Sequence, residues 1–164
     1  MNTRDPFETY NGSQFKGRFF DGLKLFRHSD YAAALTIFRE ITAVVDNRDV
    51  YINKYRSYEG LTRVCMGEKS AVTLCRAAAA DEIQDAEVHH AHALAEFKLN
   101  NRRLAVEAVK RGLAIDSGNP ELLRLRTIMG ARREPILSFL DRDNTLNKLL
   151  GKLTYSKAHV VGKS

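Results

Sequence analysis

The stretch from Gly22 to Ile41, GLKLFRHSDYAAALTIFREI, constrains this chain more than any other. It reads as two short helices joined by a tight turn. Gly22 and Phe26 lie on the first helix, Ser29-Asp30-Tyr31 makes the corner, and Ala34 and Phe38 lie on the second. Small residues at Gly22 and Ala34 let two helix backbones approach closely, and Phe26, Tyr31 and Phe38 fill the space around that contact. One such unit cannot bury its own apolar faces. Further copies are therefore expected along the chain.

Two more copies follow. YEGLTRVCMGEKSAVTLCRAA places Gly60, Gly67, Ala71, Cys75 and Ala78 in the equivalent positions, and AHALAEFKLNNRRLAVEAVKRGLAID places Ala93, Phe97, Ala105, Val109 and Gly112 there. Gly22 to Gly60 is 38 residues and Gly60 to Ala93 is 33; Ala34 to Ala71 is 37 and Ala71 to Ala105 is 34. The scatter falls in turns and linkers, where insertions cost little. The middle copy is degenerate, with a short second helix and small Cys75 in place of an aromatic.

Helix signals delimit the rest. Helices are expected from about Gln14 to Arg27, from an Asp30 cap to about Val45, and from about Val50 to Met66. Others follow at about Glu68 to Ala80, Ala86 to Leu99 and Arg102 to Ile115. Gly118 is expected to stop one helix, Asn119 to cap the next, and Pro120 to open it, running to about Met129. Tyr51, Tyr55 and Tyr58 share one helix face and read as an inter-copy seam rather than a ligand box. Residues 1–13 lack periodicity and read as a mobile leader, leaving 14–130 as the helical domain. Residues 131–164 form an arm. In it Pro135 breaks the helix, Ile136, Leu137, Phe139 and Leu140 are extended, and Leu146, Leu149, Leu150 and Leu153 make an apolar stripe. That stripe packs either on its own chain or on a second copy, giving a monomer or an arm-mediated homodimer.

These units resemble the tetratricopeptide repeat (TPR), and three of them before Arg-Arg-Glu-Pro and Asp-Arg-Asp-Asn resemble small bacterial stand-alone TPR proteins. The resemblance implies an all-α TPR-like α-solenoid: three helix pairs, a capping helix and a C-terminal arm. It also implies a non-catalytic scaffold or adaptor that binds a peptide or partner helix in a concave groove lined by the first helix of each pair. The groove positions so implied are Lys16, Phe19, Leu23 and Phe26, then Lys54, Ser57 and Leu61, then Glu87, His90, Leu94 and Lys98. Chaperone-binding members hold a C-terminal carboxylate with a Lys and Asn; Phe19 and Leu23 occupy those positions here, and Glu87 stands where a further Lys is usual. That clamp is absent. The groove reads as mixed apolar and mildly basic, suited to a partner with some acidic residues. A TPR chaperone for secreted or assembling partners is an alternative resting on length and repeat number.

A net charge of +6, from 26 Lys and Arg against 20 Asp and Glu, leaves nucleic acid open as a partner. Arg102, Arg103, Lys110, Arg111, Arg124, Arg126, Arg132 and Arg133 crowd the C-terminal half. No aromatics interleave with them to stack bases, so solvated helix faces are the favoured account. The cluster Glu87-Val88-His89-His90-Ala91-His92 puts His89 and His92 on one face, but lacks the spacing of a zinc protease. The favoured reading packs His89 and His92 inside and turns His90 to the groove, with no metal and no cofactor. No nucleophile elbow or phosphate-binding loop occurs, and Cys65 and Cys75 read as reduced core residues, so no enzyme is expected. No apolar run approaches 18 residues, and Arg4, Asp5 and Glu8 interrupt any export signal at the start. A cytoplasmic location is expected.

Overall fold

The computed structural model describes residues 15–80 and 82–130. The expected leader and the arm with its four leucines lie outside the described residues. The chain divides into two units, Met1–Met129 and Gly130–Ser164, and every helix named below belongs to the first. Among the described residues the fold is all-helical. The elements are α1 (Lys16–Arg27), α2 (Tyr31–Val44), α3 (Ile52–Cys65), a 3-10 turn (Lys69–Ala71) leading into α4 (Val72–Ala80), α5 (Ala86–Lys98), α6 (Arg102–Ile115) and α7 (Pro120–Ile128). No helix among them is long and apolar enough to cross a membrane.

One turn recurs. After α1, α3 and α5 the chain passes through a left-handed residue, Ser29 (φ 64°), Gly67 (φ 99°) and Asn100 (φ 61°). In each case two backbone bonds close the helix. Ser29 N–H donates to the Phe26 carbonyl and Asp30 N–H to Leu25; Gly67 and Glu68 donate to Val64 and Arg63; Asn100 and Asn101 donate to Phe97 and Glu96. This is the Schellman arrangement, which satisfies carbonyls a helix end would otherwise leave bare. The left-handed residue falls seven positions after Gly22, Gly60 and Ala93, so the phase read from the small residues is the phase of the turns. Gly130 (φ 62°) takes the same conformation after α7.

Helix starts follow local chemistry. The side chains of Asp30, Asp85 and Asn119 accept from the N–H groups of Ala33, Glu87 and Leu122, each capping its helix. The first turn expected at Val50 is missing because the Asp49 carboxylate accepts from Tyr51 N–H (2.8 Å) and holds a separate turn. The expected stop at Gly118 also shifts. α6 ends at Ile115, Asp116 is extended, and Asp116 Oδ1 accepts from Gly118 N–H (3.0 Å), so that glycine needs no left-handed backbone. The weak middle copy is visible as an α4 of 9 residues beside an α2 and an α6 of 14.

Each helix packs on its chain neighbour; α3 also packs on α5, and α5 on α7. Small residues mark the close crossings. A Cβ on Gly22 would come within 2.6 Å of the Phe38 ring, and one on Gly60 within 3.0 Å of the Ala71 carbonyl and of Cys75 Sγ. Ala34, Ala71 and Ala105 are all buried. Around α1–α3 the core is aromatic, with the Phe19 ring centroid 5.4 Å from Phe38, 5.1 Å from Tyr55 and 5.4 Å from Tyr58. Around α5–α7 it is built instead from Ala93, Ala105, Ala108, Val109, Leu122 and Leu125.

Candidate partner-binding groove

Four helices, α1, α3, α5 and α7, line one open groove of about 460 Å³. Its floor is a row of leucines, Leu23, Leu61 and Leu94, each six residues before the left-handed turn of its helix. The residue in that place on α7, six before Gly130, is Arg124, and it lines the groove too. Four side chains at one distance from their helix ends thus meet in one groove. Tyr58, Phe26, Leu125 and Ile128 complete the apolar lining.

The two lips differ in charge. Arg27 and Ile128 are the last residues of α1 and α7, and the Ile128 side chain is 60% exposed. At the opposite lip Glu87 and Glu121 stand in the first turns of α5 and α7, where a carboxylate is stabilised by the helix N-terminus. Between them His90 faces the groove, and burial pushes its imidazole below the ordinary value against the pull of Glu121 and Glu87. Glu87 is paired: Lys54 Nζ lies 2.8 Å from both Glu87 Oε2 and Asp85 Oδ2. Burial works against that ammonium, yet the two carboxylates outweigh it and hold the Lys54 pKa above its ordinary value.

Of the eleven positions implied by resemblance, Leu23, Phe26, Leu61, Glu87, His90 and Leu94 line this groove. The other five do not. Phe19 is buried in the aromatic cluster, where its ring is the hub of three contacts. Ser57 is fully buried and donates its hydroxyl to the Lys54 carbonyl (2.8 Å); Leu23 and Leu61, though they line the groove, are buried as well. Lys16 and Lys54 both sit over the Tyr51 ring, at 5.3 and 5.7 Å from its centroid. Lys98 lines a separate depression with Lys69 and Asn101. Arg27, Tyr58, Arg124 and Ile128 were not anticipated. Counting six back from Gly130, as from the other turn residues, would have found Arg124.

The histidine cluster is divided by the fold. His89 is buried with Nε2 3.0 Å from the Glu82 carbonyl, and His92 Nε2 lies 3.3 Å from Glu96 Oε1. Among the described residues no group of three His, Cys, Asp or Glu is placed to hold a metal ion. Glu96, fully buried, is the centre of a polar node. It accepts from Arg76 Nε (2.6 Å) and Nη2 (3.1 Å) and from Asn101 Nδ2 (2.8 Å). Burial opposes the carboxylate, but these donors prevail and hold it below the usual carboxylate range. Both thiols are kept protonated: burial pushes Cys75 up to about 12 and also raises Cys65, the opposite of an activated nucleophile. The basic residues of the C-terminal half serve different ends. Arg111 pairs with Glu107 (2.9 Å), Arg102 donates to the Met129 carbonyl, and Arg124 lines the groove. No family model, no curated protein and no solved structure matches this chain.

Proposed function

We propose that the chain is a TPR-like α-solenoid, with three helix pairs and α7 as the capping helix, acting as a non-catalytic interaction scaffold. It holds a peptide or a partner helix in the groove of α1, α3, α5 and α7. The observation that carries this reading is one open groove shared by α1, α3, α5 and α7, in which Phe26, Leu94 and Ile128 leave apolar surface accessible above the buried Leu23 and Leu61. That accessible surface is offered to a ligand, while Leu23 and Leu61 beneath it belong to the core.

Substitution at the exposed rim tests it without touching the core. A partner protein recovered from the native cell should lose at least tenfold in affinity on Ile128→Asp. It should bind unchanged to Ile83→Asp, whose side chain is 78% exposed and does not line the groove. Both variants are to be checked for unchanged melting. Binding indifferent to Ile128→Asp, or a ligand that proves to be nucleic acid at physiological salt, would overturn the scaffold reading.

A further inference from the structure

The proposed groove binding leaves the chemistry of the occupant open, and the groove's charges narrow it. Arg27 and Arg124 both line the groove, and among the described residues neither meets a carboxylate. Some other arginines are paired, Arg18 with Glu40, Arg63 with Glu59 and Glu68, and Arg76 with Glu96; what distinguishes Arg27 and Arg124 is that they line the groove. Arg124 moreover stands where the three preceding helices place leucine, so an unpaired guanidinium ends an apolar row. A guanidinium beside apolar surface gains most from a carboxylate, which it can hold through two parallel hydrogen bonds. The opposite lip repels such a carboxylate through Glu121, while Glu87 is spent on Lys54.

We propose, resting on the groove reading above, that the occupant is an amphipathic protein segment with an apolar stripe and carboxylates along one flank. The apolar side chains lie on Phe26, Leu94 and Ile128, one carboxylate meets Arg27, and another meets Arg124 at the end of the row. Its other flank, facing Glu121 and His90, is neutral or basic. Packed helices stand about 8–10 Å apart, so the stripe recurs at about that interval. In a polyproline II segment this is about every third residue, and in a helix about every seventh.

The test is a random 16-residue peptide library displayed and selected on the full chain, with enriched sequences measured by fluorescence anisotropy at two salt concentrations. Enriched peptides should carry Asp or Glu on one side of an apolar pattern. They should lose at least tenfold on Arg27→Glu or Arg124→Glu, weaken with salt, and bind unchanged to Lys98→Glu, which lies outside the groove. Peptides that lose affinity on Ile128→Asp yet are indifferent to both arginine reversals would overturn the acidic-flank inference and leave the groove reading standing. A failure to enrich any peptide sensitive to Ile128→Asp would overturn the groove reading itself. Displacement of a selected peptide by a single-stranded dT oligonucleotide at physiological salt would assign the arginines to phosphate and overturn the inference. A dimer that dissociates on peptide binding would make a second copy the occupant, with the same consequence.

Discussion

The helices before the α4–α5 connection and those after it share one turn but are held together differently. In α1–α3 rings do the filling: Phe19, Phe38, Tyr55 and Tyr58 form one aromatic cluster, with Phe26 at its edge. The rings fill the space around the close crossing at Gly22 and Ala34, and tilted or edge-on pairs add to their area burial. In α5–α7 the packing residues are mostly Ala and Val, and Gly112 is so close to α7 that a Cβ there would come within 2.6 Å of Leu122 Cδ1. Small side chains bring backbones together but leave little apolar area to bury, and the polar node at Glu96 ties α4, α5 and the start of α6 across that region. The same turn therefore joins helices held by two different core chemistries.

The largest expected effect breaks the aromatic side. Phe38→Ala, at a fully buried ring touching both Phe19 and Tyr58, should cost about 3–5 kcal/mol. Val109→Ala, the matching position in the alanine-rich region, should cost about 2 kcal/mol, since it deletes two methyl groups. Urea denaturation of the two variants checks the difference. Equal losses would show that the two cores are energetically alike and undo the contrast.

The next effect sharpens the polar side. Glu96 has a folded pKa below its unfolded value, so its contribution to stability is complete above the unfolded value of about 4.3 and is lost as pH falls through the folded one. Glu96→Gln should cost about 2–3 kcal/mol at pH 7, at the low end for a buried pair because Arg76 is 43% exposed and can turn to water. The same variant should lose less stability than the wild type between pH 5 and pH 3 as measured by denaturant midpoints. An unchanged acid slope would remove the node from the account of this region.

The smallest effect concerns what the two regions share. Ser29 holds a left-handed backbone that a β-carbon disfavours, whereas Gly67 holds it freely. Ser29→Gly should raise stability by less than about 1 kcal/mol, because relief of strain is partly offset by the looser unfolded chain. Gly67→Ala should lower stability by about 1–2 kcal/mol. Thermal melts of both give the signs; a destabilising Ser29→Gly would mean that the Ser29 side chain holds the turn.

Much of this was readable along the chain. Asp30, Asp85 and Asn119 cap helices where their short acceptor side chains precede apolar periodicity, and the spacing of Gly22, Gly60 and Ala93 carries the phase of the turns. These signals are local, since a cap or turn involves residues within six positions of one another. The errors were local too: Gly118 carries the expected stop signal, but the Asp116 side chain offers its N–H another acceptor.

Burial and the composition of the groove were decided at longer range. Lys54, Ser57 and Leu61 share one helical face in sequence, yet the fold buries Ser57 and Leu61, the latter at the floor of the groove, and sets Lys54 on a salt bridge to Asp85 and Glu87. Periodicity assigns a face to a helix but cannot say how wide a strip of it the neighbouring helices cover. Arg124 is the clearest case. By itself it is one arginine among several in a basic segment; the packing of α7 against α5 and α6 makes it the end of a leucine row on three other helices. The local sequence therefore determined where helices begin, end and turn, because those choices are settled by backbone hydrogen bonds within a few residues. The tertiary structure alone decided which side chains meet, because residues far apart in the chain become neighbours only when packing brings their helices together.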